Sequence, residues 1–98
     1  MAYRSNTVQV RPNTDVDFFI NTIDHKNYVK ETYEDTNKSS FTISYSDDGL
    51  TKTKVRDYDN KDTFDAMKAD NTIVAVKALR NIYNTENSIS KEVSHGEV

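Results

Sequence analysis

Val8 and Val10 alternate with Ser5, Thr7, Gln9 and Arg11 near the start of the chain. Period-two alternation marks a half-buried strand over 5–11, valines inward and polar residues outward. Pro12 ends it, because proline has no N–H to give a ladder. Thr14 then offers a cap, and Asp15 and Asp17 suit the positive end of a helix dipole. Val16, Phe19, Ile20 and Ile23 follow at i, i+3, i+4 and i+7, an amphipathic stripe. The stripe stops at Asp24-His25-Lys26-Asn27 and resumes out of phase at Tyr28, Val29, Thr32 and Tyr33. The pattern predicts a helix from residue 14, broken at 24–27 and ending near 35. A strand over 28–33 is the alternative.

Phe41, Ile43 and Tyr45 alternate with Thr42, Ser44 and Ser46, and Thr51, Thr53 and Val55 alternate with Lys52, Lys54 and Arg56. Between them lies Asp47-Asp48-Gly49, and loop length sets the register. A two-residue loop would put Ile43 opposite Lys54 and Phe41 opposite Arg56. A three-residue loop puts Phe41 against Val55, Ile43 against Thr53 and Tyr45 against Thr51, with Gly49 in the third, left-handed position. A slip of one residue turns every side chain over. Burial favours the three-residue register, which turns Lys52, Lys54 and Arg56 towards solvent.

Asn60 caps a short helix with Phe64 and Met67 inward, and Asp70 caps a second. Ile73, Val76, Leu79, Ile82 and Tyr83 give that second helix a broad apolar face. A turn at 84–87 leads to a last strand over 88–94 with Ile89 and Val93 inward, and the tail 94–98 is expected to fray. The order predicts one α+β domain over 1–98, a split βαββαβ arrangement: a four-stranded antiparallel sheet with helices on one face. Right-handed crossovers place the first and third strands in the centre.

Composition bounds the function. The chain has 98 residues, 35% hydrophobic and 30% charged, so its core is small and a second copy would help to bury surface. There is no cysteine, hence no disulfide and no thiol chemistry. No run is apolar enough to be a leader or a membrane span, and a cytoplasmic location is expected. The net charge is −3, a poor footprint for nucleic acid. The outward sheet face would carry no aromatic ring for base stacking, so nucleic-acid contact is reduced to Lys52, Lys54 and Arg56.

Chemistry is sparse. DYDNKD, from Asp57, lacks the glycine and glutamate of a calcium loop: Asp62 and Lys68 stand at those positions. His25 and His95 have no ligand-spaced partner, so no metal is expected. His25 is the one candidate acid/base group, placed at the helix break. Two glycines, Gly49 and Gly96, are too few for a phosphate or dinucleotide loop, and no cofactor is expected. A small-molecule pocket, if present, would lie between sheet and first helix, bounded by Phe19, Ile23, Phe41 and Met67.

The segment VRDYDNKDTFDAMKADNTI (third strand, acidic link, helix, break, helix) resembles the dimeric α+β barrel group of ferredoxin-like proteins. YRSNTVQVRP, VKETYEDTNK, SDDGLTKT and YNTENSI are similar to small ferredoxin-like proteins of marine metagenomes and cyanobacterial phages. The resemblance covers nearly the whole chain. It implies a ferredoxin-like fold, a homodimer, and a possible origin in a phage, with the host cytoplasm as location. The expectation is a non-enzymatic homodimeric module. The alternatives are a small-molecule-binding or monooxygenase-like protein with a pocket between sheet and helices, and a weak nucleic-acid binder.

Overall fold

The alternating runs pair into one antiparallel sheet of order β2-β3-β1-β4, formed by β1 (Tyr3–Val10), β2 (Ser39–Tyr45), β3 (Thr51–Tyr58) and β4 (Ser90–Glu97). The computed structural model describes residues 2–98. Helices α1 (Ile23–Val29), α2 (Lys61–Ala69) and α3 (Asn71–Glu86) complete the expected order. The first and third strands are central, as the crossover rule requires.

Helix α1 forms where the pattern suggests a break. Thr22 caps it by accepting the His25 N–H, and Asp24 lies in its first turn. It buries His25 and Val29 and continues as a π-helical turn, Lys30–Glu34, that buries Tyr33. The segment 11–22 is irregular instead of helical. The Arg11 side chain donates to Gly49 O at 2.8 Å and to Val16 O at 3.0 Å, and Asn13 Oδ1 accepts the Asp15 N–H. These local bonds give the backbone an alternative to a helix. Phe18 and Phe19 are spent elsewhere: Phe18 lies beneath the Arg11 guanidinium, and Phe19 packs at a tilt against Tyr83.

The two central strands present the opposite faces from those expected. In the hairpin, Phe41 pairs with Arg56, Ile43 with Lys54 and Tyr45 with Lys52. The loop is Asp47-Asp48-Gly49-Leu50. Gly49 N–H donates to Ser46 O and Ser46 N–H donates to Thr51 O, each at 3.0 Å. This is a four-residue loop on a tight turn, with the same register as a two-residue one. Asp48 Oδ1 accepts from Ser46 Oγ and from the Leu50 N–H, which fixes the turn. Lys52, Lys54 and Arg56 therefore point under the helices with Phe41, Ile43 and Tyr45. On β1 the helical side takes Ser5, Thr7 and Gln9, and the bare side takes Val8 and Val10, with Val55 of β3 beside them.

Tyrosines hold this arrangement. Tyr3 and Tyr58 are buried, Ser5 Oγ and Tyr58 OH are 3.1 Å apart, and Phe64 meets both rings. With Val29, Tyr33, Met67 and Ile73 they form a core at one end of the interlayer space. Tyr3 and Tyr58 are thus core residues. The β4 ladder with β1 runs to Glu97, through the tail expected to fray, and His95 Nδ1 shares a 2.6 Å hydrogen bond with Tyr3 OH. No helix among the described residues is long and apolar enough to cross a membrane.

Candidate functional site

The aromatic core fills only part of the space between the layers. The remainder is a cavity of about 820 Å³ lined by β2, β3 and β4, by α1 and α3, and by Phe19, Ile20 and Asn21 of the irregular segment. Its apolar wall comes from Phe19, Phe41, Ile43 and Tyr45. Its polar wall is basic. Of the chain's 13 lysines and arginines, nine line it, and Glu34 is the one lining carboxylate among the described residues. A net-acidic protein has thus gathered its positive charge around one hollow.

Five of these cations form the inner set: Lys52 and Lys54 on β3, Lys77 and Arg80 on α3, and Lys91 on β4. None of the five has a carboxylate within ion-pair reach among the described residues. Glu34 is already engaged by Arg56 Nη1 at 3.3 Å, and Arg56 also donates to Ser39 Oγ at 3.0 Å. Among the described residues Arg80 reaches only Asn21 Oδ1, at 3.5 Å.

Electrostatics follow from this crowding. Burial, helped by neighbouring cations, depresses the lysine pKa at Lys52, Lys77 and Lys91. Lys54 is lowered furthest, to about 7, first by burial and then by Arg56, Arg80 and Lys52. The same two causes lower Arg80, which nonetheless stays protonated as guanidinium does. His25 is pushed below its usual value by burial and by Arg80, Lys54 and Arg56, and among the described residues its Nδ1 has no hydrogen-bond partner. Unpaired charge in a half-dry site is costly, and an anion entering it would relieve that cost. Phe41 gives partial relief, with Lys54 Nζ 4.7 Å and Arg56 Cζ 4.9 Å from its ring centroid.

Of the expected pocket residues, Phe19, Phe41 and Met67 line the cavity. Ile23 does not: it is 75% exposed on the outer side of α1, because the helix begins there and turns His25 and Val29 inward. His25 is buried in the cavity wall, not on a solvated break. Lys52, Lys54 and Arg56 line the same cavity, so they cannot form a nucleic-acid surface on the bare side of the sheet; the four-residue loop turned them over.

Arg80, Lys77, Lys91 and His95 are lining residues that pattern reading missed. A signal for two of them exists. Ile73, Lys77, Arg80 and Asn84 recur at i, i+4, i+7 and i+11 and form the inward stripe of α3, while Leu79 and Ile82 are more than half exposed. Two cations within that stripe obscure it on an apolar count.

Comparison with solved structures agrees on architecture. The chain is similar to a dimeric ferredoxin-like protein from an uncultured marine organism, with 14% identity, 99% of this chain and 94% of that chain covered, and a TM-score of 0.60. Weaker similarity joins it to a Mycobacterium tuberculosis protein, with 11% identity, 94% and 92% coverage and a TM-score of 0.46. A hydantoinase/carbamoylase family amidase from Burkholderia ambifaria shares 11% identity over 97% of this chain and 27% of its own, with a TM-score of 0.44. No protein-family model and no curated protein matches the chain. The first likeness, with the strand order, makes the fold ferredoxin-like α+β.

Proposed function

We propose that this chain is a homodimeric ferredoxin-like module that binds a small organic anion between its sheet and its helices. The carrying observation is the inner set of unpaired cations facing an apolar wall. A ligand with one carboxylate and one ring or branched chain would satisfy both walls. About 820 Å³ lies within the usual size of a small-molecule site. The dimer reading rests on the ferredoxin-like neighbour described as dimeric, and on the bare sheet face, where Val8, Val10 and Val55 offer apolar surface to a second copy.

Titration calorimetry with phenyllactate tests the site, with phenethylamine as the control of equal bulk and opposite charge. The reading expects saturable binding of phenyllactate, weakened by salt and lost in Arg80→Met, and none of the amine. Equal binding of both, or of neither, would overturn it.

A further inference from the structure

Lys54 stands apart within the cation cluster. It sits near the middle of a central strand, half-buried, with its Nζ against the Phe41 ring. Lys52 and Arg56 flank it on the same face of β3, and Arg80 faces it from α3. His25 from α1 and Glu34 from the π-helical turn complete the titratable groups around it, and Glu34 is paired with Arg56. An amine so placed is desolvated and repelled by three cations, and Glu34, engaged by Arg56, favours its proton least among these influences.

We propose that Lys54 condenses with the carbonyl group of a 2-oxo carboxylate bound in the cavity. The inference rests on the anion-binding reading, since Arg80, permanently charged, would hold the carboxylate while the apolar wall takes the side chain. The step balances without a redox partner. The Nζ lone pair attacks the carbonyl carbon, a C–N bond forms and the C=O π pair moves to oxygen. Nitrogen gives up its protons as that oxygen leaves in water, and an imine remains. Desolvated by burial and crowded by cations, the amine of Lys54 is lowered to about 7 and is largely available at neutral pH. Its neutral fraction there exceeds that of an ordinary lysine by roughly a thousandfold. Lysines desolvated beside another cation are a recognised route to such nucleophiles.

Incubation of the full chain with phenylpyruvate and cyanoborohydride, followed by intact-mass and peptide analysis, tests the inference. One reduced adduct per chain is expected, on Lys54, formed at pH 7 at least about tenfold faster than on exposed Lys61. Phenyllactate should suppress it. Lys54→Arg should abolish it and keep a cooperative urea-unfolding transition, which shows that the variant is folded. Adducts spread evenly over surface lysines while phenyllactate still binds would overturn the imine and leave the anion site standing. Failure of phenyllactate to bind at all would remove both.

Discussion

Lys54 Nζ lies 4.7 Å from the centroid of the Phe41 ring, and both side chains face the helices. They are diagonal neighbours across the hairpin, because Phe41 pairs with Arg56. A ring face offers a cation about 0.5–2 kcal/mol, less than the several kcal/mol that desolvating an ammonium costs. Lys54 is therefore held against its own solvation preference. Lys54→Met keeps the stem and removes the charge. It should stabilise the protein by about 1–2 kcal/mol in urea unfolding and weaken phenyllactate binding. Lower stability would mean that the charge is already satisfied.

Stability should depend on pH in a defined direction. The unfolded chain holds a proton on Lys54 up to 10.5, whereas the folded chain releases it near 7. Between those values the unfolded state binds more protons, so stability rises with pH. His25, also lowered, acts in the same sense below its usual 6.5. Tyr33 opposes at the top: its hydroxyl is raised to about 12 by burial and by Asp70, so its contribution is full below 10 and is lost from there to 12. The urea midpoint should climb from about pH 7 to about pH 10 and then fall. A flat profile would contradict the charge crowding.

Asp70 joins three elements. Its carboxylate caps α3 through the Thr72 N–H and accepts Tyr28 OH at 2.6 Å and Tyr33 OH at 2.7 Å. Those bonds, that from Tyr28 first, hold its pKa below the usual carboxylate value. Asp70→Ala should cost about 1–2 kcal/mol from the cap and its hydroxyl partners. Urea unfolding measures the loss, and hydrogen exchange should show it concentrated at the start of α3 and in the π-helical turn.

Assembly through the bare sheet face makes Val55 a sensitive position. Val55→Glu puts a charge opposite Thr42 and Asn6, away from the cavity. Sedimentation should show a dimer for the parent chain and a monomer for the variant, with phenyllactate binding kept. An unchanged dimer would move the interface elsewhere, with exposed Leu79 and Ile82 on α3 the next place to look.

Element order, the caps Asn60 and Asp70, and the central places of β1 and β3 are legible in periodicity and capping chemistry. The faces of the central strands are not. Alternation says which residues share a side; it does not say which side is covered. The assumption that covered means apolar fails because Tyr3, Tyr58 and Phe64 seal one end of the space and leave the other hollow. Ser5, Gln9 and Lys54 can then sit under the helices. The loop adds to the error: Asp47-Asp48-Gly49 reads as a three-residue connection, yet Asp48 takes the Leu50 N–H and draws a fourth residue into it. The first apolar stripe fails similarly, since Phe19 and Ile20 serve the cavity mouth and not a helix face.

A crystal structure grown with phenyllactate bears most directly on the account. The prediction is a ring beside Phe41 and Ile43, with its carboxylate bonded to Arg80 and Lys54 beneath the helices. Lysines 52 and 54 on the bare face, or a filled interlayer space with the ligand elsewhere, would contradict it.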